Sequence, residues 1–310
     1  MEVIRIEVYS PFPAGNTNVY VINGELMIDI GVDDEKVIGK IKKAVDPDAV
    51  NLIITHPHAD HFGAAYLFKN VSAHKDACKK MFDAEKEYFR LTSIHFALEG
   101  MPENLAVEMK EHAEKKYSRF VKPCQNCRKI QKKIKAGDEI FEVLHLPGHS
   151  FSHIAIYRRG HLFSGDILLD GLTPNPVIEP IDEEKRHPVL KQYLETIKRL
   201  NSMNIVRVYP GHRDFRRNVR DVLKEYVNSF ERRSHEIFNA CEGRTAFEIT
   251  LNLFGMNQLF LAMSEVIAHL DFLSENGIIE KKEDRYRKNA DPRDLKELWI
   301  EIKAETIGEE

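Results

Sequence analysis

The chain has 310 residues, 43% of them hydrophobic and 30% charged, which suits about two domains and is too apolar for a disordered chain. Forty-five Lys and Arg against 49 Asp and Glu leave a net charge of −4, without the basic excess of a general nucleic-acid binder. Four cysteines are too few for a disulfide scaffold, no apolar run reaches membrane-spanning length, and the start lacks a secretory pattern; a cytoplasmic protein without a membrane partner is expected.

Residues 1–8 largely alternate apolar with polar side chains, as a strand does. Runs at 18–22 and 26–30, separated by a stretch containing Asn23-Gly24, predict a hairpin. The spacing over 34–45 predicts a helix, and 50–54 a short buried strand. From 75 to about 120 charge is dense, and Phe82, Tyr88, Phe89, Ile94, Leu98, Leu105 and Met109 recur at loosely helical intervals. Two or more helices are expected there, an insert of about 75–125 that lids a cleft. Strands are expected at 139–146, 154–157, 161–163 and 205–209, and helices at 188–200 and 218–241.

A second unit, 243–310, follows a first unit of 1–240. Thr245 and Glu248 have capping-box spacing, so a helix starts there. A longer helix over 257–276 puts Leu259, Met263, Val266, Ile267, Leu270 and Leu273 on one face, and Gly277 stands at its stop. Ile278, Ile279 and Glu280, then Tyr286, suggest two strands around a charged turn, which makes the unit winged-helix-like. Residues 241–310 hold nine Lys and Arg against 15 Asp and Glu, and only 281–288 is locally basic. Packing on the first unit, or a homodimer interface, is therefore expected ahead of nucleic-acid binding. Trp299 belongs to a closing helix packed against this unit.

The strongest chemical signal is Thr55-His56-Pro57-His58-Ala59-Asp60-His61, directly after the 50–54 strand. Imidazoles suit zinc and similar transition metals, and a carboxylate adds charge for a second ion. In a loop after a strand, His56 and His58 share one side, and Asp60 and His61 turn to another. A helix is expected to start close by, at the small residues Gly63-Ala64-Ala65. The same grammar of strand, turn and ligand recurs at Gly148-His149, Gly165-Asp166 and Gly211-His212. A scattered histidine is ordinarily a surface or core residue. Four clustered ligands and three repeats after successive strands are not explained that way.

With these residues the sequence resembles the metallo-β-lactamase superfamily, whose His-x-His-x-Asp-His motif matches at His56, His58, Asp60 and His61, and whose other ligands match at His149, Asp166 and His212. The resemblance covers about residues 1–240. It implies an α+β fold, a four-layer αβ/βα sandwich. It implies two Zn2+ (Fe or Mn as alternatives): the first on His56, His58 and His149, the second on Asp60, His61 and His212, with Asp166 bridging. The segment 244–288, together with Thr173-Pro174-Asn175, Tyr193-Leu194-Glu195 and Leu200, resembles a winged-helix subgroup that includes lactamase-like endoribonucleases. The span between His61 and His149 departs from the family in being longer.

A metal pair lowers the pKa of a shared water to about 7 and polarises the attacked group, with Asp60 or Asp166 steering the proton. The expected function is a zinc-dependent hydrolase acting on an ester, thioester or related acyl substrate, as in the glyoxalase II branch. The alternatives are an endoribonuclease on single-stranded RNA, a DNA-binding regulator with a metal-sensing domain, and a mononuclear iron oxygenase, against which Asp60 and His212 count. Ser150 and Ser164 are assigned to supporting or turn roles. Arg213 is the candidate substrate contact; Arg216, Arg217 and Arg220 fit a solvated helix face. Cys124 and Cys127 have the spacing of half a zinc knuckle, which Cys78 or His74 would complete, or of a redox pair, or are simply two reduced cysteines.

Overall fold

The computed structural model describes residues 1–309. Strand β1 (Val3–Val8) buries Ile6 and Val8 and pairs antiparallel with β2 (Thr17–Ile22). The turn to β3 (Leu26–Ile28) puts Asn23 (φ 52°) and Gly24 (φ 70°) both in the left-handed region, as tight hairpins require. Helix α1 (Glu35–Ala44) starts where the Asp34 carboxylate accepts from Lys36 N and Val37 N. Strand β4 (Asn51–Ile53), a single turn α2 (Ala59–Phe62) and β5 (Asn70–Ala73) follow. The insert is three helices, α3 (Lys75–Phe82), α4 (Lys86–Leu98) and α5 (Glu103–Tyr117). Strand β6 (Cys127–Lys129) then completes a six-stranded sheet of order β1-β2-β3-β4-β5-β6, parallel from β3 onward.

Strands β7 (Lys133–Ala136), β8 (Glu139–His145), β9 (Ile154–Arg158) and β10 (His161–Gly165) begin the second sheet. Helix α6 (Val189–Ser202) leads to β11 (Arg207–Pro210), which pairs parallel with β10 and gives the order β11-β10-β9-β8-β7. Helices α7 (Val219–Ala240), α8 (Ala246–Phe254) and α9 (Leu259–Glu275), the hairpin β12 (Ile279–Lys282) and β13 (Arg285–Lys288), and α10 (Pro292–Ile307) end the chain. The capping box of Thr245 and Glu248 is formed.

Period-two alternation sorts the strand residues into layers. Tyr20, Ile22, Leu26, Ile28 and Ile53 of the first sheet meet Phe141, Ile154, Ile156, Phe163 and Tyr209 of the second. The intervening residues Val19, Val21, Met27 and Leu52 face outward, onto Val37, Ile41, Phe62 and Met81 of α1, α2 and α3. Leu144, Ala155, Leu162 and Val208 cover the other outer face, against α6 and α7. This is the αβ/βα sandwich. The core on that outer face continues without a break into α8, α9 and α10 and takes in Leu270, Leu273, Tyr286, Leu295 and Trp299.

Several elements differ from the sequence reading. Helix α2 begins at Ala59, inside the ligand motif and before the expected start near Gly63. Gly63 instead lies under the chain returning from the insert, where a Cβ would come within 2.2 Å of Phe120 O. Strands β5, β6 and β7 were not anticipated. Cysteine 127 belongs neither to a zinc knuckle nor to a reduced pair. It forms a disulfide with Cys78, because β6 runs beside β5 and α3 leaves from the end of β5, which brings the two Cα atoms to 5.4 Å. Cys124 is buried and free, and His74 caps α3 by accepting from Asp76 N.

Candidate metal centre

All seven expected ligands converge where strand ends of both sheets meet. The motif follows β4, His149 follows β8, Asp166 follows β10 and His212 follows β11. The sheets are stitched there by backbone hydrogen bonds, from Ile154 N to Thr55 O (2.8 Å) and from Asn18 N to Gly211 O (2.7 Å). Close approach requires glycine at 211: a Cβ would sit 2.2 Å from Asp166 Oδ1.

His56 Nε2 and His149 Nε2 lie 3.0 and 3.1 Å from His58 Nδ1. His61 Nε2 and His212 Nε2 are 3.3 Å apart, and Asp60 Oδ2 is 3.5 Å from the latter. Asp166 stands between the two sets, with Oδ1 3.5 Å from His61 Nε2 and Oδ2 3.3 Å from His212 Nε2 and 3.9 Å from His149 Nε2. The sets His56, His58, His149 and Asp60, His61, His212 each bring their ligand atoms within 4.8 Å of one another, as do His56, His61 and Asp166.

The outer nitrogens explain why these rings suit a cation. His61 Nδ1 donates to Asp29 Oδ2 (2.8 Å), His212 Nδ1 to the Asn16 carbonyl (2.9 Å) and His149 Nδ1 to the Asn175 carbonyl (3.3 Å). His56 Nδ1 is 3.0 Å from Thr55 Oγ1. With those four rings oriented through their outer nitrogens, the inner nitrogens crowd a buried space around Asp60 and Asp166, a donor set that a cation between them would satisfy. Asp166 Oδ1, buried and without a hydrogen-bond partner, makes the same demand. The donor set therefore fits metal ions.

Electrostatics divide the rings. Burial, reinforced by the neighbouring imidazoles, holds His56 and His58 well below the usual histidine range, and burial also lowers His149, so this set is neutral and ready to ligate. Burial opposes charge on His61 and His212, but Asp166 outweighs it at both, joined by Asp29 at His61, and both are raised. Burial would raise Asp166, and His212 and His61 overcome it to hold that carboxyl well below its ordinary value.

A family model described as the metallo-beta-lactamase superfamily matches residues 12–212. The chain belongs to this superfamily. It is 26% identical over 294 residues to the probable metallo-hydrolase YqjP of Bacillus subtilis, covering 88% of this chain and 92% of that one. It is 26% identical over 176 residues to the acyl-coenzyme A thioesterase MBLAC2 of Gallus gallus, covering 52% of this chain and 61% of that protein. Among solved structures, a metallo-beta-lactamase family protein of Thermus thermophilus superposes with a TM-score of 0.77 at 25% identity, over 92% of this chain and 98% of that one.

Beyond the seven candidate ligands, the structure shows residues the sequence reading missed. Asp29 (φ 58°), 1% exposed, accepts from Thr55 N (2.8 Å), Thr55 Oγ1 (2.9 Å) and His61 Nδ1. Its signal was a carboxylate inside the apolar run Met27-Ile28-Asp29-Ile30. Ser10 donates to Asp60 Oδ2 (3.0 Å). His153 Nε2 accepts from Asp166 N (3.1 Å), and its ring stacks on His56. Glu179 accepts from Ser150 Oγ (2.8 Å) and Phe151 N (3.1 Å), which braces the His149 loop. Ser164 donates to Leu168 O, a turn role. Arg213 adjoins His212 but is exposed, and its Nη1 donates to Gly171 O (3.2 Å). Arg216 and Arg217 pair with Asp214, Asp170 and Glu225.

Proposed function

We propose that the chain is a binuclear, zinc-dependent hydrolase of acyl thioesters. The observation that carries this is the buried convergence of five imidazoles and two carboxylates, four of the rings oriented through their outer nitrogens. His56, His58 and His149 would hold one ion, Asp60, His61 and His212 the other, and Asp166 would be shared. Three imidazoles around the first position favour zinc among the divalent ions, ahead of Fe or Mn. Bound metal supplies Lewis acidity and a water acidic enough to ionise near neutral pH.

The chain's own groups do the rest. Asp29, Thr55, Asn16 and Asn175 fix which nitrogen of His61, His56, His212 and His149 faces inward. Ser10 occupies Asp60 Oδ2 and leaves Oδ1 to orient the attacking water and take its proton. Asp166 is the second carboxylate for that task, and the substrate's carbonyl carbon is the atom attacked. The thioester assignment is supported by the thioesterase relative, which matches about half of this chain. We read 243–310 as a winged-helix unit that serves as a packing layer, since its apolar face is absorbed into the core over α6 and α7, and we assign the protein to the cytoplasm.

The test is release of free thiol from an acyl-coenzyme A, run beside cleavage of a single-stranded RNA. Chelator-sensitive thiol release is expected, with His58→Ala and Asp166→Ala both abolishing it and Asp166→Ala lowering metal content toward one ion. RNA cleavage without thiol release would overturn the thioester assignment in favour of a phosphodiesterase.

A further inference from the structure

Glu99, at the end of α4 in the insert, is 1% exposed, and three groups share its carboxylate. Arg186 Nη2 donates to Oε1 (2.6 Å), while Tyr286 Oη (2.8 Å) and Lys281 Nζ (2.9 Å) reach Oε2. Arg186 also forks onto Asp271 of α9, with Nε on Oδ2 and Nη2 on Oδ1, both at 2.6 Å. Its Nη1 lies 3.3 Å from His95 Nδ1, and His95 Nε2 donates to the Asp182 carbonyl (2.8 Å). The partners therefore come from the insert (His95, Glu99) and from the C-terminal unit (Asp271, Lys281, Tyr286). Arg186 belongs to neither; it lies in the connection between β10 and α6. Taking such charges out of water offsets most of what their attraction contributes, so the cluster is a weak source of stability. A planar fork held at two points is instead a strong source of geometry.

The same connection touches the metal centre. Its Asn175 carbonyl accepts from His149 Nδ1 (3.3 Å), and its Glu179 carboxylate accepts from Ser150 Oγ (2.8 Å) and Phe151 N (3.1 Å), on the two residues after His149. His187, next to Arg186, donates from its backbone N to Glu179 O (2.9 Å). Its ring lies flat on Phe151, with centroids 3.5 Å apart and planes 8° from parallel. Ile181 N donates to Lys185 O (2.8 Å), and Pro180 forms a backbone bridge with Arg186. From the Arg186 fork to His149, every step is thus a covalent neighbour, a hydrogen bond or a ring contact.

We propose that Arg186 is a positioning residue for the His149 loop. Its fork on Asp271 and Glu99 holds the 175–187 stretch against the insert and the C-terminal unit, and that stretch sets where His149 presents Nε2. This rests on the metal-centre reading above and gives the C-terminal unit a task beyond packing: it supplies the anchor from which one candidate ligand is held.

The test uses full-length protein carrying His212→Ala, so that the ion on His56, His58 and His149 is the one measured. Zinc affinity is read by chelator competition, and exchange of the Phe151 amide hydrogen, which reports the Glu179 contact directly, is read on the metal-free protein. Into this parent go Arg186→Met/Asp271→Leu, Arg186→Lys and, as a control, Leu295→Ala, which empties a fully buried position of α10 away from the fork. The double variant removes both charges together and leaves Glu99 its contacts with Lys281 and Tyr286, so it should unfold near the parent's temperature. Its zinc affinity should nonetheless fall about fivefold, inside the roughly 2- to 30-fold that coupling through packed groups carries, and Phe151 should exchange faster by a similar factor. Arg186→Lys, which keeps the charge and loses the fork, should shift both readouts in the same direction, and it decides the matter alone where the double variant does not fold. Leu295→Ala should unfold at a lower temperature and move neither readout. Affinity and exchange both within twofold of the parent in the fork variants overturn the inference and make the cluster packing only; equal shifts in Leu295→Ala overturn it as general loosening. Protein that takes up no zinc, with or without His212→Ala, overturns the metal-centre reading, and Phe151 exchange then decides the positioning by itself.

Discussion

Replacing Asp29 with Asn changes one atom at a position that hydrogen-bonds one candidate ligand directly, His61, and reaches His56 only through Thr55. Asparagine tolerates the left-handed backbone at φ 58°, so the turn survives. The amide oxygen can keep the bond from Thr55 N, while the amide nitrogen replaces Oδ2, which now accepts from Thr55 Oγ1 and His61 Nδ1. Thr55 Oγ1 can reverse and accept, but His61 Nδ1–H meets a donor. The ring must lose that hydrogen bond or move its proton to Nε2, the nitrogen facing His212, and either way the inner lone pair is compromised. Loss of a hydrogen bond that orients a ligand lowers metal affinity about 10- to 100-fold, or about 1.4–2.7 kcal/mol. Competition against a chelator of known affinity should show this drop for the ion on Asp60, His61 and His212 only, with the set of His56, His58 and His149 still loaded. Unchanged affinity for both ions in Asp29→Asn would refute the argument that outer partners fix the inner nitrogens.

Other outcomes follow from the rest of the fold. The Cys78–Cys127 disulfide closes a loop with a sequence separation of 49 and should contribute about 2–4 kcal/mol; a reductant should lower the urea midpoint of the wild type and leave the Cys78→Ser/Cys127→Ser double variant unmoved, whereas a reductant-insensitive wild type would contradict the bond's contribution. His269, buried in α9 with Nδ1 against Ser234 Oγ, is lowered to about 3 by burial and then by Arg233. Its folded pKa lies below the unfolded value of about 6.5, so its stability contribution is complete above that pH and is lost as pH falls toward 3, at roughly 1.4 kcal/mol per unit. Chemical denaturation should therefore show stability falling less between pH 6.5 and 4.5 in His269→Gln than in the wild type, and equal slopes would contradict the assignment.

Sequence alone named the candidate ligands that the structure brings together, but not what orients them. His149, Asp166 and His212 were legible because each follows a strand and a glycine, and a glycine at 211 is what lets Asp166 and His61 approach so closely. The partners of the outer nitrogens were not. Two are backbone carbonyls, of Asn16 and Asn175, which leave no mark in residue type, and Asp29 is separated from His61 by 32 positions. Strands β6 and β7 escaped notice because they are short and mostly charged. Helix α2 did so because four residues show no period. Cysteine pairing depends on which strand β6 joins, and nothing local encodes it. The apolar stripe of α9 announced a buried helix face, but the layer it joins is set by α6 and α7.

The central claim is that two metal ions sit among these seven side chains and support hydrolysis. Elemental mass spectrometry of protein purified without chelators, with thiol release from an acyl-coenzyme A measured on the same sample, tests it most directly. About two ions per chain, zinc foremost, with turnover that chelation removes and zinc restores, is the predicted result. A single iron per chain, or a full metal complement with no hydrolysis of thioester, would contradict it.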